Sequence, residues 1–491
     1  MLNKKGLEKT HLIVLGFILI IFAQGFAQGL KPNIIIIQTD EHNFRTLGCY
    51  REQLSKEQAF IWGEGVKVDT PNLDRLAHEG AICNNFYASS PVCTPSRASL
   101  MSGLYPIATA SYQNDIPMKD DIITFAEVLR KEGYATSYLG KWHLDGKAKP
   151  GFAPERKFGF EDNRYMFNRG HWKAIGEKNG KPYLLGNVDL EKETQRVNLN
   201  NVGAQNFTTD FLTNKALEIL ERDKRKPFCM MISIPDPHGP NQVRPPYDTM
   251  FKDMHFETPK TMKTPVDKMP KWAVSKREMV NEYNQTDMQR YFGMVKCIDD
   301  NIGRLLDFLD KNGLTDNTIV VFTSDHGDLM GEHHRHNKSV PYETSARIPF
   351  LLRYPNKVLQ GKIIKKTYTT TDFAPTILAL MDAPPINEVH GINAKDDFIS
   401  NEKEVIDDRI TYMTSSNQTW VAAMNYKYKL VVSVSDTPWL IDLEKDPDEE
   451  TNYYNDPKYQ STAKELASAL REKLKTYKDP IISSGRKLRW K

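Results

Sequence analysis

A chain of 491 residues with 40% hydrophobic content is long enough for a large α/β domain with an appendage, and nothing in its composition suggests disorder. The formal charge is +3; residues 1–27 contribute +2 through Lys4, Lys5, Lys9 and Glu8, which leaves about +1 for the remainder. So neutral a chain argues against nucleic acid or an anionic membrane as its partner, and any anionic ligand must be drawn by a local pocket.

The three lysines precede an apolar run at 12–22 and the small residues Ala23, Gly25 and Ala27, the pattern of a secretory signal peptide over 1–27. The run is short for a membrane span, and no cysteine stands near the cleavage region to take a lipid. The expectation is a mature chain starting near Gln28, exported to the periplasm or medium, with no stable membrane anchor. Cys49, Cys83, Cys93, Cys229 and Cys297 are few and odd in number, which argues against a disulfide framework.

Residues 33–39 include four consecutive Ile, as in a strand buried on both faces of a parallel sheet, and run into Asp40-Glu41. Thr70-Pro71 predicts a helix start with Thr70 as N-cap and Gly80 as the stop. In Ser90-Pro91-Val92-Cys93-Thr94-Pro95-Ser96-Arg97, a Pro opens a helix just after Cys93 and Arg97 follows one turn later. A side chain at the positive end of a helix, where orphan N–H groups favour negative charge, is well placed to act as a nucleophile.

A helix over 123–132 leads to a strand over 135–139 and then Gly140-Lys141-Trp142-His143. A helix over 212–222 precedes a strand over 228–234 that ends in Pro235-Asp236-Pro237-His238, where flanking prolines present the His rigidly. A helix over 288–311 precedes a strand over 318–323 that ends in Ser324-Asp325-His326-Gly327. Ligands of open α/β sheets bind beyond the carboxyl ends of the strands, so Asp40, Lys141, His143, His238, Asp325 and His326 are expected to share one crevice. Within it Asp40, Glu41, Asp325 and His326 form a candidate divalent-metal site.

Polar stretches at 170–205 and 240–275 read as long loops that carry specificity. After about residue 401 come short strands at 419–423, 428–434 and 439–443, then a helix with Ala463, Leu466, Leu470 and Leu474 on one stripe. The predicted organisation is a catalytic domain over 28–400 and a small α+β subdomain over 401–491.

Cys93-Thr94-Pro95-Ser96-Arg97, followed by a small-residue helix and Gly103-Leu104-Tyr105-Pro106, resembles the signature of the type I sulfatases, whose Cys is oxidised to formylglycine. Residues 31–40, Gly140-Lys141-Trp142-His143, Pro235-Asp236-Pro237-His238, Thr323-Ser324-Asp325-His326-Gly327-Asp328, Lys338 and the stretch 440–452 resemble further family segments. The resemblance implies an alkaline-phosphatase-like fold, a large and mainly parallel mixed sheet sandwiched by helices. It also implies Ca²⁺ held by Asp40, Glu41, Asp325, His326 and an oxygen of formylglycine 93. Glu41 and His326 depart from the more usual family residues.

By the same resemblance Arg97 keeps the formylglycine oxygen and the metal in register, Lys141 and Lys338 neutralise the sulfate, and His143 assists deprotonation and elimination. His238 protonates the leaving oxygen, although exchanged roles for the two histidines fit equally. His333, His334 and His336 then belong to a loop over the pocket rather than to a zinc site. The implied substrate is a sulfated carbohydrate, from an algal polysaccharide such as ulvan or carrageenan or from a glycosaminoglycan, with Arg164, Arg169, His171 and Trp172 as candidate sugar contacts. A formylglycine-generating or anaerobic maturation enzyme is the implied partner. The alternatives are a phosphonate or phosphodiester hydrolase of the same superfamily and a non-catalytic carbohydrate-binding relative.

Overall fold

The computed structural model describes residues 31–490 apart from 276–278, 281–283 and 402–408, so the signal peptide expected at 1–27 lies outside the described residues. Successive isoleucines of β1 (Asn33–Asp40) point to opposite faces, and both faces are covered. Ile34 and Ile36 pack with α2 (Cys93–Ser102), α3 (Phe125–Lys131) and α6 (Phe373–Leu380). Ile35 and Ile37 pack with α1 (Pro71–His78), α4 (Thr208–Asp223) and α5 (Gln285–Lys311). A helical layer on each side is why the strand reads as an unbroken apolar run.

The remaining strands of this sheet are β2 (Ala81–Tyr87), β3 (Ala135–Lys141), β4 (Met166–Phe167), β5 (Phe228–Pro237), β6 (Thr318–Ser324), β7 (Phe350–Arg353) and β8 (Lys362–Thr369). Their order is β8-β2-β7-β6-β1-β5-β3-β4. Neighbours are parallel except that β7 opposes both β6 and β2. The register pairs Thr39 with Ser324, Asp40 with Pro237 and Gly140 with Ser233, so the carboxyl ends of β6, β1, β5 and β3 lie side by side. Among the described residues no helix is long and apolar enough to cross a membrane.

The second sheet, β9 (Thr411–Thr414), β10 (Trp420–Met424), β11 (Tyr428–Ser433) and β12 (Trp439–Asp442), is an antiparallel meander. Its Trp420, Ala422 and Val431 face Leu329, Val340 and Tyr342 of the main body. Val421, Ala423 and Leu430 on the other face are covered by Leu466, Leu470 and Leu474 of α7 (Gln460–Thr476). The period-two alternation thus joins the subdomain to the catalytic body on one side and to its own helix on the other.

Three expectations change. Thr70 does not cap α1 with its side chain: its hydroxyl accepts from the Gly48 N–H at 2.9 Å and lies 3.2 Å from Asp74 Oδ1. Helix α2 starts at Cys93 itself, with Val92 as N-cap, so Pro95 is its third residue. Residues 170–205 are not one irregular loop but carry two hairpins, Ile175–Lys178 with Lys181–Leu184 and Asn187–Asp189 with Thr194–Arg196.

Candidate active site

The four strand ends and the start of α2 converge on Arg97, which is buried to 1% exposure. Its Nε donates to Asp325 Oδ2 at 2.8 Å and its Nη2 to Asp40 Oδ2 at 3.0 Å. Nη1 reaches Ser233 Oγ at 2.7 Å, the Lys141 carbonyl at 2.9 Å and Gln38 Oε1 at 3.3 Å. One planar fork therefore spans β1, β3, β5 and the end of β6, which a lysine ammonium could not do.

Asp40 is shared. Lys141 Nζ lies 2.5 Å from its Oδ2, and Lys141 also stands 2.7 Å from His171 Nε2 and 3.8 Å from Cys93 Sγ. Burial opposes ionisation of Asp40, yet Lys141, the nearby His171 and Arg97 together hold its carboxyl well below the usual range. Burial and Asp40 likewise push the Cys93 thiol up, but Lys141 and Lys338 outweigh them and its pKa falls below the ordinary value.

Cys93 Sγ is 3.2 Å from His326 Nε2 and 3.8 Å from Asp40 Oδ1. His326 Nδ1 is 3.0 Å from the Gly327 carbonyl, to which it donates, so Nε2 turns a lone pair toward Cys93, Asp40 and Asp325. Burial lowers the pKa of this ring and favours the neutral, ligating form. Ligand atoms of Asp40, Cys93, Asp325 and His326 all lie within 4.8 Å of one another in a fully buried group. Glu41 differs from the expectation and stands outside this group. Its backbone is left-handed (φ 62°), and its carboxylate turns to His238 Nε2 at 2.9 Å and Lys338 Nζ at 3.4 Å.

His238 donates from Nδ1 to the Gly239 carbonyl at 2.8 Å, and its Nε2 lies between the Glu41 carboxylate and Lys338 Nζ at 2.8 Å. Its ring stacks on His171 with centroids 3.5 Å apart and planes 7° from parallel. Lys338 is held protonated: burial opposes its charge, but Cys93, Glu41, Asp40 and Asp325 raise its pKa. His143, with φ 58°, is buried, and among the described residues neither of its ring nitrogens is hydrogen-bonded; Nε2 is 3.6 Å from Asp115 Oδ1.

The four candidate sugar contacts separate. His171 enters the cluster. Arg169 lies on its rim, paired with Asp115 and, at 2.6 Å, with Glu193. Arg164 lies apart, paired with Asp162 at 2.9 Å, which also binds Arg222 from α4. Trp172 is fully buried in the core beside Ile35 and Ile37, its indole N–H donating to the Arg169 carbonyl at 2.8 Å, so it offers no surface to a sugar. In the histidine-rich loop, His333 stacks on Tyr342 at 3.6 Å and His334 Nε2 meets the Thr264 carbonyl at 2.7 Å.

Sequence reasoning missed several supports. Gln38 and Ser233, which serve Arg97, are polar breaks in apolar strands, a signal that was available. Lys173 donates to Asp236 Oδ1 at 2.6 Å and to the His238 carbonyl at 3.2 Å, and Thr209 Oγ1 donates to Asp236 Oδ2 at 2.6 Å. This buried group anchors the turn that presents His238, and a lone Lys in a polar stretch gives no hint of it.

A sulfatase family model matches residues 32–383, and one described as N-sulphoglucosamine sulphohydrolase, C-terminal, matches 331–476. The chain is 30% identical over 471 residues to an ulvan-active sulfatase of Formosa agariphila, covering 92% of this chain and 83% of that protein. It is 27% identical to an N-acetylglucosamine-6-O-sulfatase of Bacteroides thetaiotaomicron, covering 91% of this chain and 87% of the relative. A solved structure of a protein in complex with its substrate D-glucosamine-2-N,6-O-disulfate superposes with a TM-score of 0.75 at 25% identity, covering 91% of this chain and 98% of that one.

Proposed function

The chain belongs to the sulfatase family and is a sulfuric ester hydrolase, and from that premise we propose that it desulfates a saccharide through a formylglycine made from Cys93. The observation that carries this reading is the convergence of Arg97, Lys141 and Lys338 on a buried Cys93 at the start of a helix. A sulfate monoester shields its sulfur with three oxygens that share negative charge, so attack requires cations around them and a donor for the departing alcohol.

The donor set of Asp40, Asp325, His326 and residue 93 fits a divalent cation: two buried carboxylates, one neutral imidazole with its lone pair turned inward, and the side chain at 93. We assign Ca²⁺, with Glu41 as a partner of His238 rather than a direct ligand. When present, the hydrated aldehyde supplies one hydroxyl to attack sulfur and a second to expel sulfate, and the cation stabilises the negative charge of that oxygen.

The residues then divide the work. Arg97 fixes both carboxylates, and Lys141 and Lys338 turn from Asp40 and Glu41 to the sulfate oxygens. His238 uses Nε2, the nitrogen left by its bond to Gly239, to protonate the leaving oxygen, a contribution of about 10²–10⁴-fold. The ring of His143, beside the Asp115 carboxylate, takes the proton during attack and elimination. We further assign residues 28–400 as the catalytic domain, 401–491 as the C-terminal subdomain, and an exported location following cleavage of the leader. The substrate class is an oligosaccharide of ulvan, carrageenan or a glycosaminoglycan, and a formylglycine-generating or anaerobic enzyme matures Cys93.

Mass spectrometry of the tryptic peptide containing Cys93, from protein made in its own host, tests the chemistry. The expected result is the Cys-to-aldehyde mass loss, together with activity that disappears in Cys93→Ala. An unmodified thiol in fully active enzyme would overturn it.

A further inference from the structure

Beyond His238 and Lys338 the molecule carries a cavity of about 470 Å³, bounded by residues 239–242, the first turns of α5 and the 328–337 loop. Its position follows from the chain: Gly239 succeeds His238, Asn337 precedes Lys338, and Tyr291 in its wall donates to the Glu41 carbonyl at 2.8 Å. If sulfate lies against Lys141 and Lys338 and its ester oxygen against His238, this space, whose wall includes the adjoining Gly239 and Asn337, is open to the group bonded to that oxygen. The volume lies within the range of sites that enclose a small ligand.

The lining states what that group is. Gln242 and His336 line the cavity with Asp287 and Arg290 of α5, and among the described residues none of these four side chains has a hydrogen-bond or ion-pair partner. Asp287 and Arg290 are one turn apart on the same helix yet do not pair, so a carboxylate acceptor and a guanidinium donor both remain available. Their charges offset, and the other acidic side chain in the wall, Asp328, is turned away, its Oδ1 accepting N–H bonds from Met330 and Asn337 at 2.9 and 3.0 Å. Such a wall has donors and acceptors for hydroxyl groups but no net positive charge for a second anion.

We infer that this cavity binds the pyranose ring bearing the scissile sulfate, and that the ring is uncharged apart from that sulfate, held through its hydroxyls by Asp287 and Arg290. The inference rests on the sulfatase reading above. It separates monosulfated neutral sugars from uronates and from rings with a second sulfate, a choice that the catalytic cluster itself cannot make.

The test measures kcat/KM of the matured enzyme on 4-nitrophenyl sulfate, on a panel of monosulfated hexoses, deoxyhexoses and N-acetylhexosamines, and on disulfated counterparts. The best monosulfated sugar should exceed its disulfated form by about tenfold or more. In Asp287→Asn and Arg290→Gln, the ratio of kcat/KM for that sugar to that for the aryl ester should fall about 10–100-fold, chiefly through KM, as expected when a charged partner of a substrate hydroxyl is lost. The aryl ester in the ratio corrects for any loss of folded enzyme. An unchanged ratio in both variants, a preference for the disulfated ring, or hydrolysis of the aryl ester without any monosulfated sugar would overturn the subsite and leave the sulfatase reading standing. Failure on every sulfate ester by enzyme carrying the aldehyde would instead overturn the reading beneath it.

Discussion

Arg97 shows how one side chain can serve both stability and chemistry. Asp40 and Asp325 are completely buried, and among the described residues its guanidinium is the one lysine or arginine group in ion-pair contact with both. Removing Arg97 leaves Lys141 on Asp40 but takes the ion pair from buried Asp325, and breaking a buried pair costs about 3–5 kcal/mol. Arg97→Met should therefore lower the denaturant midpoint by that free energy at an unchanged slope and abolish sulfate-ester hydrolysis. Arg97→Lys should recover only part of the stability, because one ammonium cannot reach both carboxylates and Ser233. A variant Arg97→Met as stable as the parent would refute this account of the charges. The sequence made the reacting side chains visible because each sits in a short polar cluster at an element end. What it hid was direction: Glu41 turns from the metal group to His238, and Trp172, aromatic in a polar stretch, turns into the core.

At the level of elements, the loop that carries Lys338 is held by the C-terminal sheet. Lys429 of β11 donates to the Pro341 carbonyl at 2.8 Å, and Trp420 of β10 donates from its indole to the Ser339 carbonyl at 3.1 Å. Lys429 is also shared by Glu343 at 2.7 Å and Glu449 at 2.9 Å, two buried carboxyl groups with one ammonium between them. Burial raises Glu449 to about 7, with Glu343 adding to the shift and Lys429 opposing it. A pKa above the unfolded value means that the folded state holds this proton longer. Glu449 therefore stabilises fully below the ordinary Glu pKa, and that contribution is lost as pH rises from there through about 7, by at most about 1.4 kcal/mol per unit. Glu449→Gln removes the titration, so its melting temperature minus that of the parent should increase between pH 5 and 7.5; a constant difference would contradict the shift. The strands with four isoleucines or a polar terminus were legible because their periodicity is local. The opposed β7 and the grip of β10 and β11 on the Lys338 loop were not, since pairing between distant segments leaves no period in either one; the two hairpins were not because their strands, Ile175–Lys178 with Lys181–Leu184 and Asn187–Asp189 with Thr194–Arg196, are too short and too polar to show a period.

Across the whole molecule, the candidate metal group ties together parts of the chain that are far apart in sequence. Cys93 is 53 positions from Asp40 and 233 from His326, and the three come from the central strand, the first turn of α2 and the end of β6. Lys141, Lys338 and Arg97 face Asp40, Glu41 and Asp325, so the charges of the protein alone nearly cancel; a divalent ion bound there would add the positive charge that a sulfate ester would then offset. Because the ligands meet only in the folded chain, the ion should stabilise the native state alone, by about 2.7 kcal/mol at one hundred times its dissociation constant. Protein stripped with EDTA should melt lower than untreated protein, and added Ca²⁺ should restore the transition in proportion to the logarithm of its concentration. Asp40→Asn and Asp325→Asn should lose that response while Glu41→Gln keeps it, which separates the ligands from the carboxylate that turns to His238. If Glu41→Gln loses the response as well, Glu41 is a ligand after all. If Ca²⁺ moves no variant and Mn²⁺ moves the parent, the imidazole of His326 has selected a softer ion than the carboxylates alone would choose.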